Sequence, residues 1–133
     1  MITLTWNKKG LQFTAQDEQN HNMIVDTDTE SGGLGKGFKP MELLLVALAG
    51  CMGMDIVAIL QKKGGKIDSF KMILRGEKNT EHPRRYLKIF YEIECKGDYK
   101  REDLLRAFEL SRDRYCSVLA TLKNSPEFHF NIL

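Results

Sequence analysis

The first part of the chain alternates short apolar runs with polar turns. Residues 2–6 and 11–15 are rich in β-prone side chains, and the turn between them ends at Gly10, which can adopt the positive φ of a hairpin. A third run covers residues 22–26 and follows a polar turn at 17–20. This pattern predicts a three-stranded antiparallel meander.

The middle of the chain predicts one long apolar helix. Residues 27–39 are rich in glycine and precede Pro40, a residue favoured at the first position of a helix. Strong helix formers follow without a break, and the apolar ones occupy most of the helical circumference. Two lysines and then Gly64 provide signals for a helix end. We expect a helix over 40–63 that must be covered on nearly every side.

The second half of the chain predicts a pair of strands followed by helices. Apolar residues alternate over 66–76 and 86–95, as in half-buried strands. Residues 101–114 place apolar side chains near helical spacing among charges, a shorter helix is predicted at 117–123, and a last strand at 128–133. Because the strands come in antiparallel clusters and do not alternate with helices, the predicted fold class is α+β.

Composition sets expectations for size, partners and location. The 133 residues, 42% hydrophobic and 29% charged, suit one domain over 1–133 with its own core. A formal net charge of +2, with basic residues dispersed among acidic ones, predicts no nucleic-acid partner and no membrane partner. The N-terminal residues lack the pattern of a secretory signal, and the longest uncharged stretch, 43–54, is too short to span a bilayer. These features predict a cytoplasmic protein.

Two other kinds of chemistry find little support. The glycine-rich stretch 32–37 superficially resembles a phosphate-binding loop, but Glu30 stands where such a loop needs glycine and Gly37 where it needs Ser or Thr. We therefore expect a flexible connector. The three histidines lie far apart, with no carboxylate or thiol at ligand spacing, so we predict no metal site and no cofactor.

Three cysteines carry the candidate chemistry, and each has a packing alternative. They form no CxxC pair, and an odd number argues against a disulfide framework. Cys51 lies in the apolar helix between Gly50 and Gly53, which leave space around its sulfur. Free cysteine is among the most often buried residue types, so a packing role competes with a reactive one at Cys51 and is favoured at Cys95, on the apolar face of a predicted strand.

Local context distinguishes Cys116 from the other two cysteines. Cys116 comes directly before the helix predicted at 117–123, with Arg112 and Arg114 nearby. A helix N-terminus and guanidinium groups both favour the thiolate. Asp55, four residues after Cys51, shares its helical face, where an unpaired carboxylate would oppose thiolate formation. Local reasoning thus predicts Cys116 as the thiol of low pKa.

Two motifs, one around each of these cysteines, resemble a known family. The first runs from Lys39 to Asp55 and reads KPMELLLVALAGCMGMD; the second runs from Arg114 to Leu122 and reads RYCSVLATL. Over nearly its whole length the chain resembles the OsmC/Ohr family of osmotically inducible and organic hydroperoxide resistance proteins, and in particular a less characterised OsmC-like branch. The resemblance implies antiparallel sheets packed around long central helices, in an intertwined homodimer with two active sites at the interface.

The resemblance also implies a thiol peroxidase cycle. Cys51 would attack the O–O bond of an organic hydroperoxide or other small apolar substrate and become a sulfenic acid. Cys116 would condense with that acid to a disulfide, and a dithiol reductant would reopen it.

The activating residues depart from the family pattern. Classical members pair an arginine on an early strand with a glutamate directly after the proline. Here no arginine precedes Arg75, and the acid, Glu42, follows Met41. Glu42 is the candidate acid, and the candidate cations are Lys8, Lys9, Lys36 and Lys39. The alternative function is a non-catalytic OsmC-like dimer that binds a small hydrophobic ligand.

Overall fold

Three antiparallel strands form at the N-terminus, as the alternation predicts. A computed structural model describes all 133 residues, and the strands pair in the order β1, β2, β3. Their bounds are β1 Ile2–Trp6, β2 Phe13–Asp17 and β3 Asn22–Val25. The second strand starts later than predicted because the hairpin turn extends to Gln12, whose carbonyl accepts the Asn7 N–H at 3.0 Å. The meander belongs to the first of two compact units, residues 1–44 and 45–133. A single domain over 1–133 stays a prediction.

The glycine-rich segment after β3 is an ordered loop, so the prediction of a flexible connector is wrong. The loop closes around the carboxylate of Asp26, which is only 2% exposed. Four donors reach this carboxylate at 2.8–3.1 Å: the N–H groups of Thr27, Leu34 and Lys36, and the side-chain amide of Gln12. A Cβ at Gly33 would collide with the Thr27 carbonyl oxygen. Glycine is therefore needed here for close packing.

Replacing Asp26 with asparagine tests this loop through pH. Burial acts to raise the pKa of Asp26, but the hydrogen bonds from Leu34, Gln12, Lys36 and Thr27 outweigh burial and lower the pKa to about 2. A carboxyl with a lowered pKa stabilises the fold above its unfolded value of 3.8 and loses that contribution as the pH falls towards 2. Asp26→Asn sets an amide NH₂ or an uncharged oxygen against these donors. We expect it to lower the thermal midpoint by several degrees at pH 7.

The measurement is thermal unfolding by circular dichroism between pH 7 and pH 2. The difference in midpoint between wild type and Asp26→Asn should shrink below pH 3.8, because the unfolded chain then binds a proton at Asp26 while the folded protein, with a pKa of about 2, keeps this carboxyl ionised. Asp28→Asn is the matched control, since the Asp28 side chain is 58% exposed and pairs only with Lys39. A gap between wild type and Asp26→Asn that stays constant down to pH 2 would contradict this explanation.

The long central helix, α1, covers Pro40–Lys62 and confirms the helix expected there. It ends two residues before Gly64, which has a positive φ of 86°. One face is buried completely, through Leu48, Met52, Ile56 and Leu60. On another face Val46 is 46% exposed and Met54 is 73% exposed. The chain thus covers only part of a helix that is apolar on nearly every side.

By length and composition alone, α1 could also cross a membrane. The prediction that no segment spans a bilayer considered only the uncharged residues 43–54, whereas the whole helix meets the length and hydropathy criteria for a membrane span. Core helices of water-soluble proteins pass it too. The buried face of α1 is a core face, because it packs against strands and helices of the second unit.

Two long strands and two helices follow α1. The strands are β4, Lys66–Lys78, and β5, Tyr86–Asp98, paired antiparallel with Met72 opposite Ile93. The helices are α2, Arg101–Leu110, and α3, Ser117–Lys123. The helix predicted over 101–114 is present, but its last part, Ser111–Tyr115, is π-helical.

The strand predicted at 128–133 is absent, and residues 125–133 form no helix or strand. Phe128 and Phe130 are 79% and 89% exposed. An alternating sequence becomes a strand only where a neighbouring strand accepts its hydrogen bonds, and no strand of the chain pairs with this segment.

The core of the second unit consists of two clusters on the buried face of α1. One is built on Ile56, Leu60 and Ala107, and Cys95 packs against it from β5. The other is built on Leu48, Met52 and Cys116, and Cys51 packs against it. The second of these, called the thiol cluster below, brings two of the three cysteines to one place.

Candidate active site

The two candidate reactive cysteines meet in the thiol cluster, although they are far apart in the sequence. Cys51 is half-buried on α1, and Cys116 is 4% exposed directly before α3. Both are free thiols, and Cys51 packs against the cluster to which Cys116 belongs. Cys95 packs in the other cluster. The fold therefore pairs Cys51 with Cys116, and their catalytic roles stay predictions.

Apolar side chains from every element of the second unit surround the thiol pair. The strands provide Met72, Leu74, Ile89 and Tyr91, and the helices provide Phe108, Val118 and Leu119. The rings of Tyr91 and Phe108 meet edge to face, with centroids 6.3 Å apart. Burial is the main cause that raises the pKa of Tyr91, and the neighbouring Cys116 raises it further. Cys116 thus lies in surroundings that disfavour charge.

The prediction that Cys116 is the thiol of low pKa is wrong. Burial raises the pKa of Cys116, and the neighbouring Cys51 raises it further. The N–H of Leu119 donates to Cys116 Sγ at 3.3 Å and acts in the opposite direction, as expected at a helix N-terminus, but it does not outweigh burial. Cys116 therefore holds its proton more firmly than an ordinary cysteine.

The arginines near Cys116 in sequence act elsewhere. Arg112 binds the carboxylate of Asp113 through two hydrogen bonds of 2.7 Å, and its guanidinium lies 5.7 Å from the centre of the Phe108 ring. Arg114 is exposed. No cation is among the groups that shift the pKa of Cys116. Arg112 and Arg114 line an open pocket together with Cys116, but neither of them shifts the pKa of its thiol.

Glu42 caps the start of α1. Its Oε2 accepts the backbone N–H of Lys39 at 3.0 Å, the contact that a glutamate in the first helical turn makes with the residue preceding the helix. Lys39, one of the candidate cations, pairs with Asp28 at 2.7 Å, and a hydrogen bond to Asp28 raises its pKa. Glu42 belongs to the first unit and the two thiols to the second. Its part in catalysis stays a prediction.

One contact beside the thiol pair was missed by sequence reasoning. Ser111 is fully buried, and its hydroxyl donates to Asp55 Oδ2 at 2.8 Å. The sequence indicated that Asp55 shares a helical face with Cys51 and needs a partner. It could not indicate which partner, because the π-helical turn that directs Ser111 towards α1 has no clear sequence signal.

Comparison with known proteins identifies the family. The family model described as OsmC-like protein matches residues 33–131, a segment that includes both thiols. The chain belongs to the OsmC-like family. Protein YhfA of Escherichia coli (strain K12) is 31% identical to this OsmC-like chain over 118 residues, which cover 88% of this chain and 85% of YhfA.

Solved structures agree with this assignment. A hypothetical protein from Aquifex aeolicus VF5 superimposes with a TM-score of 0.81 at 31% identity, over 94% of this OsmC-like chain and 87% of its own. An organic hydroperoxide resistance protein OsmC from Legionella pneumophila superimposes with a TM-score of 0.64 over 93% and 88% of the two chains. At 11% identity the Legionella protein shows the fold alone. The α+β, OsmC-like fold predicted from the sequence is confirmed.

Proposed function

We propose that this OsmC-like protein is a thiol peroxidase that reduces organic hydroperoxides through Cys51 and Cys116. One observation carries the proposal: two free cysteines from distant parts of the chain lie together in one apolar cluster. The likeness in fold to a protein described as an organic hydroperoxide resistance protein supports it.

Burial favours Cys51 for the first step. Burial raises the pKa of Cys116 and keeps the proton on that sulfur, which makes Cys116 the poorer attacking thiol. Cys51 is also the more exposed of the two, and therefore the one that a substrate reaches first. Cys51 is the nucleophile and Cys116 the resolving thiol.

The proposed cycle balances with a hydroperoxide and a dithiol. The Cys51 thiolate attacks the terminal oxygen of ROOH, the O–O bond breaks, and the alkoxide takes a proton to leave as ROH. The Cys51 sulfenic acid then condenses with the Cys116 thiol, which forms the disulfide and releases water. A dithiol reductant exchanges with this disulfide, restores both thiols and leaves as its own cyclic disulfide.

The surroundings of the thiols favour an apolar substrate. Leu48 and Met52 are fully buried beside the pair, and the nearest strand residues are apolar as well. Such surroundings stabilise an alkyl or aryl group and give little hydrogen bonding to hydrogen peroxide. The assay is therefore the consumption of an organic hydroperoxide, such as cumene hydroperoxide, with dithiothreitol. Failure of the wild-type protein to consume it would overturn the proposal.

The protein is proposed to act as a homodimer, in which a second copy of the chain covers the exposed face of α1. An open apolar groove of about 580 Å³ follows the uncovered face of α1, and its lining consists of Val46, Ala49, Gly50, Gly53, Met54, Val57, Phe70 and Met72. Exposed apolar patches of this kind mark interaction surfaces. The homodimer implied by the family resemblance covers this groove.

The second candidate function is binding of a small hydrophobic ligand without catalysis. Two observations favour it: no cation is among the groups that shift the pKa of Cys116, and Arg112 is engaged by Asp113. The rate at which iodoacetamide alkylates Cys51 at pH 7 distinguishes the two functions. Fast alkylation supports the peroxidase, and alkylation no faster than that of an unstructured cysteine peptide supports the ligand-binding protein.

A further inference from the structure

We infer that the hydrogen bond between Ser111 and Asp55 positions Cys116 against Cys51, and that Ser111 is thereby a positioning residue for disulfide formation. This inference rests on the proposed function, because it concerns the step in which the two sulfurs join. The bond is 2.8 Å long, and the Ser111 side chain is fully buried.

Ser111 connects the two cysteines through both its side chain and its backbone. Its hydroxyl binds Asp55, which lies on α1 one helical turn after Cys51. Its carbonyl oxygen accepts the N–H of Cys116 at 2.9 Å, which closes the π-helical turn. A short series of hydrogen bonds thus runs from the helix that carries Cys51 to the backbone of Cys116.

The intervening residues supply no other anchor to α1. Residues 112–115 are all exposed. Arg112 and Asp113 bind each other. Without the Ser111 hydroxyl, the turn before Cys116 would be held to α1 only by apolar packing, which is less directional than a hydrogen bond. Because a disulfide needs sulfurs about 2.05 Å apart with a dihedral angle near 90°, small displacements of Cys116 would reduce the effective concentration of one thiol at the other.

The experiment measures the Cys51–Cys116 disulfide in glutathione redox buffers, in a Cys95→Ser background that removes the third thiol. Ser111→Ala is expected to shift the equilibrium towards the two thiols by about tenfold relative to the background protein. Thr121→Ala is the matched control, because it removes an exposed hydroxyl that binds only the Ser117 carbonyl in α3. It should leave the equilibrium unchanged.

Variants at Asp55 separate positioning from a general loss of structure. Asp55→Leu removes the acceptor and should cause the same shift as Ser111→Ala, while the double variant should shift no further than either single one. Asp55→Asn keeps an oxygen that accepts the Ser111 hydroxyl and should restore most of the wild-type equilibrium. If one single variant fails to fold, the other still tests the bond.

The outcomes distinguish this inference from the proposed function. A Ser111→Ala protein that folds and keeps the background equilibrium overturns the positioning role. The absence of any Cys51–Cys116 disulfide in the background protein overturns both that role and the resolving role of Cys116. A disulfide that forms in glutathione and responds to Ser111→Ala, in a protein that does not consume cumene hydroperoxide, supports positioning and overturns the peroxidase.

Discussion

Replacing Cys51 with serine is expected to reduce the turnover of cumene hydroperoxide by at least about 100-fold, because a hydroxyl is a far weaker nucleophile than a thiolate at neutral pH. The substitution changes one atom in a half-buried position, so the fold should persist. The measurement is steady-state consumption of the hydroperoxide with dithiothreitol as reductant. Circular dichroism of the variant verifies that the helices remain.

The other two cysteines supply matched controls. Cys95→Ser removes a thiol that packs in the other core cluster, and it should retain wild-type turnover. Cys116→Ser should still be oxidised once per chain at Cys51, but the sulfenic acid should persist and proceed to the sulfinic acid with excess peroxide. Turnover that survives Cys51→Ser, or that disappears equally with Cys95→Ser, would rule out the assigned nucleophile.

Placing a charge on the uncovered face of α1 is expected to separate the proposed dimer. Met54 is 73% exposed and lines the apolar groove. Met54→Glu would bury two unpaired carboxylates in a symmetric interface, one from each copy, and each would cost several kcal/mol. We expect the dissociation constant to rise at least about 100-fold, as measured by sedimentation or light scattering over a concentration series.

Leu105→Glu is the control for this experiment. Leu105 is 52% exposed on α2 and does not line the groove on α1. Leu105→Glu should leave the mass of the dimer, measured in solution, unchanged. A wild-type protein that has the mass of one chain at all concentrations, or a Met54→Glu protein that remains as associated as wild type, would contradict the second copy on this face.

The elements with strong local signals could be predicted from the sequence. Helix α1 begins at Pro40 and ends just before a glycine in the left-handed region, and both residues constrain the backbone directly. The alternation in β4 and β5 was predictable because it comes from burial on one side of a sheet. The strand predicted at 128–133 failed because pairing depends on a neighbour that no local pattern shows.

Predictions about the site failed where distant residues decide the chemistry. The helix N-terminus before Ser117 does donate to Cys116, as expected, but burial by strands far away in the sequence decides the direction of its pKa shift. Asp26 showed no local sign of a special role, yet hydrogen bonds from Gln12 and from the glycine-rich loop surround it. The glycine content therefore predicted a flexible connector, whereas hydrogen bonds to Asp26 hold the loop in place.

Oxidation of the reduced protein tests directly whether Cys51 and Cys116 form one redox pair. The fully reduced protein is treated with one equivalent of cumene hydroperoxide per chain, the remaining thiols are blocked, and the peptides are mapped by mass spectrometry without reduction. We expect a disulfide between Cys51 and Cys116 within one chain, with Cys95 recovered as the blocked thiol. Recovery of Cys116 as a free thiol, with Cys51 unreacted or irreversibly oxidised, would contradict it.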